Sequence, residues 1–185
     1  MNLAGERVLL RPWRESDLAP FAALNADPRV MTFMPGCLAR ADSDRLALRI
    51  ARHFDRHGFG LWAVELTGEA PFIGCVGLAV PSFQAHFTPC VEIGWRLARD
   101  YWGRGYASEA ARIALAVGFG DFGLERLVSF TTRDNQPSRR MMERLAMRHA
   151  PSEDFDHPAL PAGHPLRPHV LYRLSSEEWR CHAGG

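Results

Sequence analysis

The stretch that decides the fold is Tyr101-Trp102-Gly103-Arg104-Gly105-Tyr106-Ala107-Ser108-Glu109-Ala110. It lies between a predicted strand and a predicted helix, and its two glycines allow a tight turn that brings backbone amides close to a ligand. The helix that follows adds unpaired N–H groups and the positive end of its dipole. These features suit a pyrophosphate, and the alternative is a plain turn between a strand and a helix.

Composition excludes several other classes of phosphate-binding and lysine-dependent protein. All 22 basic residues are arginine, and lysine is absent. A Walker-type phosphate loop, a pyridoxal enzyme and a protein kinase each need a lysine, so none of them fits. The dinucleotide fingerprint does not fit either, because Ser108 stands where its third glycine would be. A formal net charge of +1 gives no overall field that would attract nucleic acid, so we expect no such partner.

Hydropathy and cysteine usage indicate the cell compartment. The longest apolar stretches, such as 74–80 and 113–119, are too short to span a bilayer, so we expect no membrane association. Charged residues, among them Glu6 and Arg7, interrupt any signal-peptide core at the N-terminus. The four cysteines are scattered with no CxxC pair. The sequence therefore predicts a cytoplasmic protein with reduced thiols.

The order of predicted elements indicates one mixed α/β domain over residues 1–185. A proline- and histidine-rich segment at 150–168 forms an extended loop, which in a compact domain is more often functional than idle. Residues 175–185 form a C-terminal tail. Apolar spacing predicts helices from Ser16 or Asp17 up to Pro28 and at 42–57, 105–119 and 135–145, and strands at 7–13, 60–66, 72–80, 90–97, 126–131 and 169–174.

Three segments, in this order, resemble the GNAT acyl-CoA N-acetyltransferases, and most closely the branch that acetylates the N-termini of ribosomal proteins. They are residues 91–97, 101–110 and 135–138, and the likeness extends from the opening 7–12 to the final strand. It implies a mixed, mostly antiparallel central sheet of about six or seven strands with about four helices. It also implies a splayed pair of parallel strands at the cofactor site.

The resemblance also assigns the cofactor. The family motif Gln/Arg-x-x-Gly-x-Gly/Ala falls on residues 102–107, with Trp102 at its first position. Backbone amides of this loop would hold the pyrophosphate of coenzyme A, and a strand edge would pair with the pantetheine arm. Asn135 would contact the arm from the other side, although it can also simply cap its helix. The expected cofactor-binding residues are Trp95, Arg96, Leu97, Trp102, Gly103, Arg104, Gly105, Tyr106, Ala107, Asn135 and Ser138.

Acetyl transfer to an amine needs a neutral nucleophile, a stabilised oxyanion and a proton for the departing thiolate. Glu92 is the candidate base, and the alternative is a structural carboxylate paired with Arg96 or another arginine. The family's usual acid is a tyrosine, but the matching position holds Met142, which cannot donate a proton. Ser138 is the candidate substitute. The alternatives are that Ser138 is an ordinary residue of the first helical turn or that water protonates the thiolate.

Other side chains carry less specific patterns. His53 and His57 share a helix face at a spacing that a metal could use, but without a third ligand we expect no metal. Asp154, Asp156 and His157 could bind a cationic amine, or they could form a local turn held by Pro158. The loop at 81–89 could line the acceptor site or be an exposed connection.

Two functions follow from these residues. The first is an acetyl-CoA-dependent N-acetyltransferase that joins acetyl-CoA and an amine in a ternary complex, the acceptor being a protein N-terminus or a small-molecule amine. The second is a non-catalytic sensor or interaction module that binds acyl-CoA, which the methionine at the tyrosine position favours. We expect a monomer or a homodimer.

Overall fold

The computed structural model describes residues 1–183. The chain packs as two compact units. The first comprises Met1–Ala79 and Gly94–Ala114, and the second comprises Val80–Ile93 and the chain from Leu115 onward. That residues 1–185 behave as one domain stays a prediction.

The first unit is built from a meander of antiparallel strands and two helices. Strand β1 pairs with β2, β2 with β3, and β3 with β4, all antiparallel. The two helices are consecutive in the chain and lie between β2 and β3. The elements are β1 (Leu3–Ala4), β2 (Val8–Arg11), α1 (Leu18–Ala26), α2 (Arg40–His57), β3 (Leu61–Leu66) and β4 (Ala70–Ala79).

Helix spacing explains how the first unit forms its core. On α2 the positions Ala47 and Ile50 recur on one face and are buried, and they pack with Phe21 of α1. Arg11 is fully buried and donates to both carboxylate oxygens of Asp17 at 2.8 Å, and to Glu65 at 2.8 Å. Because this guanidinium is paired on both sides, its burial in the sheet is tolerated.

The remaining elements follow β4. Strand β5 (Glu92–Leu97) and helix α3 (Tyr106–Phe119) each contribute residues to both units. In the second unit β5 and β6 are parallel, with Glu92 opposite Val128, and β9 pairs antiparallel with β6, β7 and β8. Its other elements are β6 (Arg126–Thr132), α4 (Gln136–Arg144), β7 (Arg148–His149), β8 (Phe155–Asp156), β9 (Pro168–Ser175) and α5 (Ser176–Ala183).

The predicted fold class is confirmed: the structure is mixed α/β, with mostly antiparallel strands and one parallel pair. All four predicted helices and all six predicted strands form, with ends shifted by a few residues. The strands of two residues, β1, β7 and β8, and helix α5 were not predicted. They raise the totals within residues 1–183 to nine strands and five α-helices.

Two predicted segments contain more structure than their sequence suggests. The extended loop at 150–168 holds a short 3-10 turn at Pro151–Glu153 and strand β8. The tail at 175–185 begins at the end of β9 and continues as α5, while residues 184–185 lie outside the described part. Within residues 1–183 no helix combines the length and apolar character needed to cross a membrane.

Candidate functional site

The glycine loop between β5 and α3 adopts the conformation that its sequence predicts. Gly103 and Gly105 have φ of 72° and 84°, in the left-handed region that disfavours residues with a Cβ. A Cβ on Gly103 would meet no atom within 4 Å, so the space beside this residue is open. Helix α3 begins directly afterwards, and the Glu109 amide donates to the Gly105 carbonyl at 3.0 Å. The amides of the first turn therefore point out of the helix N-terminus.

The side chains of the loop have different surroundings. Trp102 is 48% exposed, and its indole N–H donates to the Leu97 carbonyl at 2.8 Å. Arg104 is exposed, whereas Tyr106 is buried at 8% exposure. The ring of Tyr106 is therefore packed inside the protein, and binding of a ligand by its backbone stays a prediction. One lone pair of the Leu97 carbonyl is already used by the tryptophan.

Two residues that sequence reasoning missed hold this loop in place. Arg7, before β2, donates from Nη1 to the Arg104 carbonyl at 3.1 Å. Its Nε pairs with Glu109 Oε2 at 2.9 Å. These partners are separated by about a hundred residues in sequence, so no local pattern could have indicated the contact. Glu109 reads in sequence as an ordinary acidic residue of a first helical turn.

The predicted strand-edge residues lie at the end of β5. Leu97 is buried and Trp95 and Arg96 are half-buried. The Arg96 guanidinium donates to Asn25 Oδ1 at 2.6 Å and contacts Met34 Sδ at 3.6 Å. Its side chain is therefore occupied within the first unit, and only its backbone is left to serve as a strand edge. Pairing of this edge with a pantetheine arm stays a prediction.

Glu92, the candidate base, begins β5 beside Val128 of β6. The side chain keeps some accessible surface, but surrounding protein atoms desolvate its carboxylate and raise its pKa to about 8. Among the ion pairs of residues 1–183, none includes Glu92, and Arg96 is engaged with Asn25 instead. The arrangement favours a carboxyl tuned by desolvation over the alternative of an ion-paired carboxylate.

The neighbouring cysteine is a poor nucleophile. Burial, with a smaller contribution from the Glu92 charge, raises the pKa of the Cys90 thiol to about 11. The thiolate is therefore scarce at neutral pH, which argues against a cysteine acyl-enzyme.

Helix α4 carries the other predicted residues. Asn135 is buried at 8% exposure, accepts from the Ser138 amide at 3.3 Å and donates to Thr131 Oγ1 at 2.8 Å. It therefore caps the helix, as one interpretation of the sequence predicted. Ser138 is half-buried in the first turn. Met142 is 1% exposed and belongs to the hydrophobic core, so a side chain there faces packing and not solvent.

Within the second unit, strands β5 and β6 are joined at the start of β5. The Val128 amide donates to the Val91 carbonyl at 3.0 Å, and Glu92 lies opposite Val128. The Ile93 carbonyl accepts from the hydroxyl of Ser129 at 2.9 Å.

The weaker sequence candidates have local partners. His53 bonds the Phe59 carbonyl through Nδ1 at 2.8 Å, and burial lowers the pKa of this histidine. Residues 1–183 contain no group of three or more His, Cys, Asp or Glu that could hold a metal. In the 150–168 loop, Asp154 pairs with His149 at 2.7 Å and Asp156 with Arg167 at 3.2 Å.

The loop at 81–89 is not simply an exposed connection. Phe87 is buried at 7% exposure, and its ring packs 5.8 Å from Phe130 of β6 and 4.8 Å from Phe155 of β8. Burial also lowers the pKa of His157 and of His169, whose rings lie 4.9 Å apart at the same cluster. Sequence reasoning missed this aromatic cluster, because its members come from four separate segments.

Comparison with known proteins identifies a family. A family model described as an acetyltransferase (GNAT) domain matches residues 7–148. The protein YkkB of Bacillus subtilis is 32% identical over 150 residues, which cover 80% of this chain and 86% of that protein. YnaD of Bacillus subtilis, described as an uncharacterized N-acetyltransferase, is 27% identical over 97% of this chain and 99% of its own length.

A solved structure shows the same fold at similar identity. The GNAT-family acetyltransferase from Bacillus anthracis superposes with a TM-score of 0.78 at 27% identity, covering 96% of this chain and all of the other. The more specific likeness to the branch that acetylates ribosomal proteins stays a prediction. Because the family model spans well over half of the sequence, the chain belongs to the GNAT acetyltransferases.

Proposed function

We propose that the protein transfers the acetyl group of acetyl-CoA to a primary amine by direct attack within a ternary complex. The proposal rests on the loop at 102–107. Both of its glycines have positive φ, and the N-terminus of α3 follows the second of them directly. Backbone amides and a helix dipole bind a pyrophosphate without a lysine, which this chain lacks. Membership of the GNAT acetyltransferases supports the same donor.

In this proposal the backbone positions the donor. The amides of Gly103 to Ala107 bind the pyrophosphate, and the edge of β5 from Trp95 to Leu97 pairs with the pantetheine arm. A backbone amide of the same stretch stabilises the oxyanion that forms when the amine attacks the thioester. Asn135 and Ser138 contact the arm from α4.

Glu92 acts as the base. The attacking nitrogen carries a surplus proton once its bond to the carbonyl carbon has formed, and the Glu92 carboxylate accepts that proton. A pKa of about 8 suits an α-amino acceptor, because it matches the ~8 of that group, whereas the same carboxylate is a weak base toward an alkylamine with a pKa of ~10. The collapse of the tetrahedral intermediate breaks the C–S bond, and the Ser138 hydroxyl donates a proton to the thiolate while it takes a proton from water.

A second function has one observation in its favour. Met142 occupies the position at which the family has its proton-donating tyrosine, and it is buried in the core. A protein that keeps the donor site but has lost the chemistry would be an acyl-CoA-binding sensor or interaction module. A thiolate is a good leaving group, so the missing tyrosine alone does not abolish transfer.

Thiol release from acetyl-CoA separates the two functions. The purified protein is mixed with acetyl-CoA and a panel of primary amines that includes peptides, polyamines and amino sugars. We expect amine-dependent release of free coenzyme A and an acetylated product with a mass increase of one acetyl group. Tight binding of acetyl-CoA without turnover across the panel would favour the sensor, and absence of both would reject the donor site itself.

A further inference from the structure

Arg7 is held against the glycine loop by three different contacts. Its Nε pairs with Glu109 Oε2 at 2.9 Å, its Nη1 donates to the Arg104 carbonyl at 3.1 Å, and its guanidinium carbon lies 4.9 Å from the centre of the Tyr106 ring. The side chain is 46% exposed, yet its position is fixed by an anion, a carbonyl and an aromatic face. Such a guanidinium loses little conformational freedom when it binds a ligand.

Glu109 anchors this arrangement from helix α3. Its Oε1 accepts from the backbone amides of Arg7 at 2.7 Å and Val8 at 3.1 Å, while its Oε2 accepts from the Arg7 side chain. Burial pushes the pKa of Glu109 upward, but the two amide hydrogen bonds and the pairing with Arg7 outweigh it, so the pKa lies below its ordinary value. Glu109 is therefore a carboxylate that ties the start of β2 to the first turn of α3.

The third nitrogen of the guanidinium faces the loop. Among residues 1–183, no hydrogen bond of Arg7 Nη2 is found, since the bonds of this side chain use Nε and Nη1. A Cβ placed on Gly105 would lie 3.3 Å from Nη2, so this donor is directly beside the second glycine. A cation at a helix N-terminus is repelled by the helix dipole. It is stabilised there if an anion binds at the same place.

We propose that Arg7 is an additional cofactor-binding residue, whose Nη2 donates to a phosphate oxygen of the coenzyme A diphosphate. This inference rests on the proposed function, because it needs the diphosphate at the glycine loop. The loop amides orient the diphosphate through directed hydrogen bonds. Arg7 supplies the positive charge that a lysine supplies in a Walker-type phosphate loop. Glu109 is a positioning residue that holds the guanidinium in place.

Two donors that differ only in the diphosphate part provide the test. Acetyl-CoA contains the diphosphate, while acetyl-pantetheine presents the same thioester without it. We compare the wild type with Arg7→Gln and with the matched control Arg14→Gln, which removes an arginine of similar exposure paired with Glu65 at 3.2 Å. For Arg7→Gln we expect the KM for acetyl-CoA to rise roughly ten- to a hundredfold at nearly constant kcat. The KM for acetyl-pantetheine stays unchanged.

A matched control and a second variant test whether the effect is specific to Arg7 and to its positioning residue. Arg14→Gln leaves both KM values at the wild-type level. Glu109→Gln keeps an oxygen that can accept from the backbone amides but loses the charge that orients Arg7, so we expect a smaller rise, roughly three- to tenfold, again for acetyl-CoA alone. Added salt reduces the difference in the KM for acetyl-CoA between the wild type and Arg7→Gln, because the interaction that the variant loses is electrostatic and is screened by salt.

The outcomes distinguish a failure of the role of Arg7 from a failure of the proposed function. A wild-type protein that transfers acetyl groups, with an Arg7→Gln variant whose KM values are unchanged or rise equally for both donors, would overturn the role of Arg7 alone. A wild-type protein that neither binds nor uses acetyl-CoA would overturn the proposed function, and the inference with it.

Discussion

The glycine loop at 102–107 and the carboxylate of Glu92 differ in what determines their chemistry. In the loop, two glycines with positive φ orient the backbone amides, and the following helix adds its dipole. At Glu92 the pKa of about 8 arises from desolvation by many atoms of the fold. A site formed by backbone conformation is determined by a few adjacent residues. The shifted pKa of a side chain depends instead on residues that are distant in sequence.

The largest expected effect concerns Glu92. Glu92→Gln resembles the protonated carboxyl in shape but cannot accept a proton, so we expect kcat to fall roughly 10²- to 10⁴-fold. The wild-type rate rises with pH through about 8, as the carboxylate forms. Rate profiles from pH 6 to 10 are measured with an α-amino acceptor and with an alkylamine.

The two acceptors distinguish the enzyme group from the substrate group. In the variant the remaining pH dependence follows the amine, near ~8 for the α-amino group and ~10 for the alkylamine. Full activity of Glu92→Gln at every pH would show that Glu92 is not the base, and the glycine loop would then be the one part of the proposed site with a role in transfer.

The same carboxyl makes stability depend on pH. Its pKa is raised from 4.5 in the unfolded chain to about 8 in the folded one, so its contribution is fully present below pH 4.5 and is lost as the pH rises through 8. We expect this group to lower the free energy of unfolding by up to roughly 4 kcal/mol between pH 5 and 9. Urea unfolding at both pH values measures the loss.

Two variants assign that loss to Glu92. Glu92→Gln lacks the pH-dependent term, so its stability falls less over the same range than that of the wild type. Glu125→Gln, at an exposed position in the same unit, retains the wild-type dependence. Equal slopes in all three proteins would show that Glu92 is not desolvated.

The contrast explains which features could be predicted from sequence. Periodicity gave the long helices and strands, and the spacing of glycines gave the loop, because both depend on neighbours in the chain. Short strands such as β7 and β8 form only because β9 is available as a partner. The contact of Arg7 with Glu109 and the desolvation of Glu92 likewise need the assembled fold.

The alternatives at single residues show the same limit. Asn135 was predicted to cap its helix, to contact the ligand, or to do both; the structure confirms the cap, and the ligand contact stays a prediction. For Glu92, an ion pair with Arg96 was the alternative, but the partner of Arg96 is Asn25, from a helix about seventy residues earlier. The local sequence indicates which roles a side chain can have. Which of these roles it takes depends on the groups that the fold brings close to it.

A glycine-to-alanine substitution, which adds one methyl group, tests whether the glycine loop binds the donor. Gly103 and Gly68 have nearly equal φ, 72° and 76°, and a Cβ on either meets no atom within 4 Å. Alanine therefore costs a similar ~1–2 kcal/mol of backbone strain at each. We expect Gly103→Ala to raise the KM for acetyl-CoA roughly tenfold, because the methyl group occupies space where the diphosphate approaches.

Gly68→Ala is the matched control, since it carries the same strain in the β3–β4 turn. Its thermal stability falls by a similar amount, while its KM stays at the wild-type value. Equal KM values for acetyl-CoA in the two variants would mean that the loop amides do not bind the donor. The role of the loop backbone in the proposed site would then be rejected.

The smallest expected effect concerns Ser138, in the first turn of α4. If its hydroxyl protonates the departing thiolate, Ser138→Ala lowers kcat by roughly three- to tenfold, because water can replace a weak acid when the leaving group is good. Ser138→Thr retains the hydroxyl and restores most of the rate, and either variant keeps the backbone amide that Asn135 caps. Met142→Leu preserves volume in the core and leaves kcat unchanged. The comparison is made with saturating acetyl-CoA, so that changes in donor binding do not contribute. An unchanged kcat in Ser138→Ala would assign the proton to water, and Glu92 would then be the one side chain of the proposed mechanism that reacts.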